Sequence, residues 1–290
     1  MNIRQPLRAG TFYEATPSSC RHHAEKLLDE AEPAQSLPSP LYGGLVPHAG
    51  WMYSGRLAAR TFKTLAADHP LETVVLLGAD HTGSAARGEV YDSGVWRTPL
   101  GEAQIDEKLA AALLGTCDDL RANPRAHDFE HSIEVQVPLL LAMSPDVRIV
   151  PITVPPTDRA VDVGRAIGQA IAAAGGVARV IGSTDLTHHG GHFPAPGGRG
   201  RQGVEWSVAN DRRMLDVVER MAAEEIVPEA QRHSNACGAG AIAATVAACR
   251  LLGARAGYCI EYTNSFEVIH AAYPAERDDT TVGYASVVFG

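Results

Sequence analysis

Residues 73–83 read TVVLLGADHTG. An unbroken apolar run from Val74 to Leu77 cannot present one wet and one dry face, so both sides of this segment must be covered. The run is of strand length, and Gly78 ends it. It predicts a central strand of a parallel sheet from Thr73 to Leu77, with His81 just beyond its carboxyl end.

Two other segments repeat the pattern. YGGLVP at residues 42–47 reads as a short strand and runs into His48-Ala49-Gly50. VARVIG at residues 177–182 reads as another and runs into STDLTHHGGH. Strands are also expected at Val147–Val154, Gly257–Tyr262 and Thr281–Phe289. Helical patterns alternate with them: a helix over RLAARTFKTLAAD that Ser54 is placed to cap, then helices near Ile105–Leu114, Ser132–Met143, Asp158–Ala174, Val204–Ala223 and Ala239–Leu252. The Gly- and Pro-rich stretch 193–203 is expected to be a loop. Such alternation predicts α/β layering. No repeat or clear boundary divides residues 1–290, so one domain is expected; the Pro/Ser-rich stretch 33–40 is the weakest connector.

Composition narrows the function. The chain is 45% hydrophobic and 20% charged, with a formal net charge of −9. Nucleic-acid and anionic membrane surfaces are disfavoured as partners, because phosphate contacts need clustered Lys and Arg; only Arg199 and Arg201 form a small basic group. The five cysteines are odd in number and widely spaced, a pattern of reducing compartments. With no apolar leader and no run of membrane-spanning length, a soluble, cytoplasmic protein is expected. GxGxxG after a strand, GxxxxGK[ST] and GxSxG are all missing, which disfavours dinucleotide enzymes, NTPases and serine hydrolases.

In open α/β sheets ligands bind beyond the carboxyl ends of the strands. His48 and His81 both stand there beside small residues, and imidazole is the commonest metal ligand near neutral pH. Either ring alone could equally be a loop histidine satisfied by hydrogen bonds; two in the same setting point to a site. Asp185 and His188 follow the third strand, and a carboxylate beside an imidazole can fix its tautomer and raise its basicity. A polar turn capped by the Asp is the alternative. Cys237 precedes Gly238 at a helix start, where a thiol is expected to ionise more easily. Cys249 and Cys259 lie inside elements and read as packing groups. In AHDFEHSIEVQVP, at residues 126–138, His131 and Glu134 at i, i+3 would share a helix face, half of a metal site. A helix first turn solvated by Asp128 and Glu130 is the alternative there.

The motifs RAGTFYEA (8–15), PHAGWMYSG (47–55), GADHTG (78–83), TPLG (98–101), HDFEHSIEVQVP (127–138), VPI (150–152), STDLTHHG (183–190), NACG (235–238) and VGYAS (282–286) together resemble the Memo family along nearly the whole chain. That family is similar in fold to class III extradiol dioxygenases. The resemblance implies a three-layer α/β/α domain with a mainly parallel or mixed central sheet. It further implies a pocket where His48, His81 and Cys237 meet a metal, with Asp185 and His188 lining it as acid/base residues. Glu130 and His131 are expected at the pocket mouth, supporting the ligands without joining them, and Ile133, Val137, Leu140 and Leu141 in the core. The chain departs from the family pattern at Ala79, where a Pro is usual, and at His189, in a THHG segment where THYG is common.

Two imidazoles and a thiolate suit iron or copper, with zinc also compatible. A redox enzyme acting on a small molecule or peptide is the first functional expectation. A ligand- or peptide-binding module that kept the pocket without turnover is the second, and a zinc hydrolase the third. The resemblance also implies AMMECR-type and radical-SAM proteins as partners.

Overall fold

Thr73–Gly78 folds as the strand its composition predicts, with every residue buried. The computed structural model of the chain describes residues 2–274 and 279–290. Among these, one sheet contains β1 (Ile3–Arg4), β2 (Gly43–Val46), β3 (Thr73–Gly78), β4 (Gly88–Val90), β5 (Val95–Thr98), β6 (Gly101–Ile105), β7 (Leu120–Ala122), β8 (Arg148–Thr153), β9 (Arg179–Ser183), β10 (His188–His189), β11 (Gly257–Asn264) and β12 (Thr281–Phe289). The helices are α1 (Pro17–Glu30), α2 (Trp51–Asp68), α3 (Glu107–Leu114), α4 (Val137–Met143), α5 (Ala160–Ala173), α6 (Gly200–Glu219), α7 (Ala223–His233), α8 (Ala239–Leu252) and α9 (Ser265–Ala272).

The main strand order is β1-β5-β6-β8-β3-β9-β2-β12-β10. From β6 to β2 all neighbours are parallel. β12 then joins β2 antiparallel, and β11 pairs with β12. The sheet is therefore mixed with a parallel centre, and helices cover both faces: α2, with α1 beside it, on one, and α8, with α5 and α7 against it, on the other. This is the three-layer α/β/α arrangement expected from the resemblance. α8 is made largely of Ala and Gly and approaches the sheet very closely. A Cβ on Gly182 of β9 would stand 2.5 Å from Thr245 Oγ1, and one on Gly43 of β2 would stand 2.8 Å from Cys249 Sγ. Glycine at both strand positions is what admits the helix.

β3, β9 and β2 lie side by side in the middle of the sheet. Their register sets Val46 opposite Ser183 and Leu77 opposite Gly182. The three strands end at one level, and the turns that follow them meet there.

Local structure differs from expectation in several places, α9 and the short strands β4–β7 among them. α2 starts at Trp51, with Gly50 as its cap; Ser54 lies inside it, its hydroxyl donating to the Ala49 carbonyl. The helix expected over 132–143 is a 3-10 turn at Glu134–Gln136 followed by α4, with Pro138 in the first turn of α4, where a missing N–H costs nothing. α6 begins at Gly200, inside the expected loop. α7, with Pro228 in its interior, was not foreseen.

Candidate metal centre

His48, two residues past the end of β2, is buried. Its ring spans two groups: Nδ1 lies 3.2 Å from Ser183 Oγ, and Nε2 lies 3.2 Å from Cys237 Sγ. Burial, followed by the nearby His81 and His131 charges, holds its pKa well below the usual histidine value. His81, three residues past β3, is exposed on the cavity side, and its Nδ1 meets Glu130 Oε1 at 3.0 Å. That leaves its Nε2 as the nitrogen free for a ligand. Cys237 sits directly before Gly238, the cap of α8. Ligand atoms of His48, His81 and Cys237 all lie within 4.8 Å of one another. Donors about 2.0–2.3 Å from a common ion stand at such separations, so the three residues fit one metal.

Glu130 is not at the pocket mouth, as the sequence reading expected. It is buried and accepts four hydrogen bonds: from His81 N–H, from the His81 ring, and from the N–H groups of His131 and Ser132. Burial opposes its charge, but the His81 bond and charge and the backbone donors outweigh it and hold the carboxyl well below the usual range. For His81 burial again pulls one way, lowering its pKa, while bonds to Cys237 and Glu130 win and raise it to about 10. A carboxylate behind a ligating imidazole fixes the ring and raises its basicity. His131 stacks on His81, ring centroids 4.8 Å apart, and lies 5.6 Å from the His48 ring. His81, Glu130 and His131 are also close enough to hold an ion. With its oxygens spent on four donors, however, Glu130 is the weaker ligand.

Cys237 also departs from expectation. Burial, the largest influence, pushes its thiol above the ordinary value, although the bond from His81 pulls it down. The helix start does not compensate for removing the sulfur from water. Asp185 N–H points at the sulfur, 3.3 Å away.

Asp185 does not orient His188. Its carboxylate instead accepts the N–H of His48 at 2.7 Å. The reason is the register: β2 and β9 end level, so the residue two past one strand meets the residue two past the other. Burial, partly offset by that bond, raises the Asp185 pKa to about 7. His188 lies on β10 opposite Val282, its ring 4.8 Å from that of Phe193. Its Nε2 is buried with no hydrogen-bond partner among the described residues. Burial, followed by the His81 charge, lowers its pKa to about 4, so the ring is neutral near pH 7.

These groups line a cavity of about 500 Å³. His48, His81, His131, Asp185 and His188 form one wall, and Tyr53, Phe193, Phe266, Ile269, Val282 and Tyr284 form the other. No Lys or Arg lines it among the described residues.

Sequence reasoning missed a buried brace behind the centre. Arg4 pairs with Glu134 at 2.8 Å, stands 4.4 Å from the Trp96 ring centroid, and donates to the carbonyls of His127 and Glu130. Glu134 also accepts Leu7 N–H, Arg8 N–H and the Tyr13 hydroxyl. It therefore ties the amino-terminal segment to the Glu130 loop and shares no metal site with His131. Nothing local in the sequence pairs residues this far apart. Ser183 and Gln136, which flank His48, were also missed; a lone Gln in the apolar run VQVPLLL was the available signal.

Fold and site together define an α/β protein with a candidate metal centre of two imidazoles and a thiol at the carboxyl ends of parallel strands. Residues 4–288 match the family described as Memo-like protein. A MEMO1 family protein of Pyrococcus abyssi is 36% identical over 99% of both chains. One from Methanothermobacter thermautotrophicus is 34% identical over 98% of this chain and 99% of its own. The chain belongs to the Memo family. Among solved structures, an uncharacterised protein from Escherichia coli K12 shares the fold, with a TM-score of 0.51 and 13% identity over 87% of this chain and all of that one. No helix among the described residues is long and apolar enough to cross a membrane.

Proposed function

We propose that this protein is a metal-dependent redox enzyme that holds iron or copper on His48, His81 and Cys237. The observation that carries the reading is the convergence of these three donor atoms within 4.8 Å, with His48 and His81 at the wall of an open cavity and a neutral imidazole beside them. A bound iron or copper would supply one-electron chemistry and open coordination positions for oxygen or substrate. The rest falls to the chain's own residues. Glu130 holds the His81 ring. Asp185 holds the His48 backbone. His188, neutral and with Nε2 unpaired, is placed to take a proton from a substrate in the cavity and return it. Beyond the metal and the imidazoles no cationic group among the described residues lines the cavity, so a phosphorylated or multiply anionic substrate finds no Lys or Arg to pair with. The apolar wall suits a neutral small molecule, or an apolar side chain of a peptide.

The test is elemental analysis of protein purified without oxygen, followed by oxygen uptake across a panel of neutral aromatic and apolar compounds. Uptake that depends on iron or copper and is lost in His188→Ala is expected. Zinc as the only metal, with ester or amide hydrolysis, would replace this reading with a hydrolase. Ligand binding without uptake would replace it with a binding module.

A further inference from the structure

Ser183 is the last residue of β9, opposite Val46 and two residues before the level of His48. Its hydroxyl oxygen lies near three polar groups: the Ser132 carbonyl at 2.7 Å, Gln136 Nε2 at 3.2 Å and His48 Nδ1 at 3.2 Å. A hydroxyl has one proton and two lone pairs. The Ser132 carbonyl can only accept, so the proton goes there. Gln136 has its amide nitrogen 2.8 Å from the Pro47 carbonyl. That contact fixes which end of the amide is nitrogen, since two oxygens would repel at this distance. The amide therefore donates to Ser183 and occupies one lone pair. The remaining lone pair can only be satisfied by a proton on His48 Nδ1.

We infer that Ser183 is a positioning residue that locks His48 in the tautomer protonated at Nδ1. Ser132 and Gln136 fix the direction of the lock. Nε2 is then left bare, aimed at Cys237 3.2 Å away, in the form a metal requires. The two histidines of the centre are prepared by opposite devices: a charged carboxylate behind His81 and a neutral, direction-locked hydroxyl behind His48. The neutral partner adds no negative charge beside the nearby Asp185. The consequence for metal binding rests on the ligand set proposed above; the tautomer does not.

The experiment has two parts. In metal-free protein with labelled histidine, ¹⁵N NMR of the ring nitrogens should show His48 with its proton on Nδ1, assigned by its loss in His48→Ala. Ser183→Ala should lose that signature and bind Zn²⁺ roughly 10–100-fold more weakly in a chelator competition, the size typical of partners behind a metal ligand. Ser183→Thr, which keeps the hydroxyl, should restore both. A proton on Nε2 in the wild type overturns the inference without any variant, so it stays testable even if Ser183→Ala misfolds. Unchanged tautomer and affinity in a folded Ser183→Ala also overturns it. A wild type that keeps the Nδ1 proton but binds no Zn²⁺ supports the lock and counts against the metal centre instead.

Discussion

The two walls of the cavity are built by different means. The ligand wall stands on the carboxyl ends of three adjacent parallel strands, and its histidines are held by hydrogen bonds they donate to Glu130, Asp185 and Ser183. The facing wall comes from the Phe193 turn, α9 and β12, and contacts through Phe193, Phe266, Ile269 and Val282. The sheet places the chemistry, and the covering segments choose what reaches it. Substitutions on the two walls should therefore separate metal affinity from ligand affinity.

The largest effect is expected at Cys237. A serine hydroxyl does not ionise near pH 7 and is a poor ligand. Cys237→Ser should lower metal affinity by at least ~100-fold, the scale of losing one ligand, and His48→Ala should act the same way. The metal-free Cys237→Ser protein should still melt within a few degrees of metal-free wild type, because the chain has a large core of its own. Cys249→Ser should leave metal content unchanged, since that thiol is packed between α8 and β2. Full metal content in Cys237→Ser, with loss in Cys249→Ser, would break the assignment of the ligand wall.

Glu130→Gln comes next. It keeps the shape but removes the charge behind His81, and should cost roughly 10–100-fold in metal affinity. Equal affinity for wild type and variant would show that the carboxylate only shapes the loop.

How much of each wall the sequence disclosed follows from how local its cause is. His48 and His81 were legible because a buried strand, a small residue and a histidine lie together in the chain. Glu130 was misplaced because its loop is shaped by Arg4, 126 positions away. The pairing of Asp185 with His188 failed because spacing i, i+3 brings side chains together on a helix, and this segment is not helical, with His188 paired in β10. The facing wall stayed hidden because its apolar residues come from separate segments and look like ordinary core residues in each.

Asp211 offers a third test, from the structure behind the facing wall. It is buried in α6, accepts the Thr187 N–H at 2.7 Å and the Tyr262 hydroxyl at 2.7 Å, and so fixes the turn that carries His188. Burial, partly offset by those bonds, raises its pKa to about 6. Below its unfolded value near 4 the group is protonated in both states and costs nothing. As pH rises through 6 the folded protein must hold a buried charge, and stability is lost. A shift of about two units corresponds to up to about 3 kcal/mol. Asp211→Asn should therefore gain stability relative to wild type between pH 4 and pH 7, by several degrees in Tm. A difference in Tm that stays flat across this range would mean that Asp211 is charged throughout.

The smallest effect, and the most direct test of the contrast, is Phe266→Ala. Phe266 stands on α9, lines the cavity and stacks on His270, and it makes no hydrogen bond from its ring. Removing it takes apolar surface from the facing wall and touches nothing that holds His48, His81 or Cys237. Zn²⁺ affinity should stay within about twofold of wild type, since a change of 0.4 kcal/mol or less is all a remote surface is expected to give. Binding of a neutral aromatic probe such as indole, followed by ligand-observed NMR, should weaken roughly fivefold, the ~1 kcal/mol of one aromatic contact. Phe193→Ala should weaken the probe similarly but also disturb His188, whose ring it packs against at a tilt, and so is the less clean variant. If Phe266→Ala lowers Zn²⁺ affinity and leaves indole binding intact, the two walls are not separable and the cavity works as one unit.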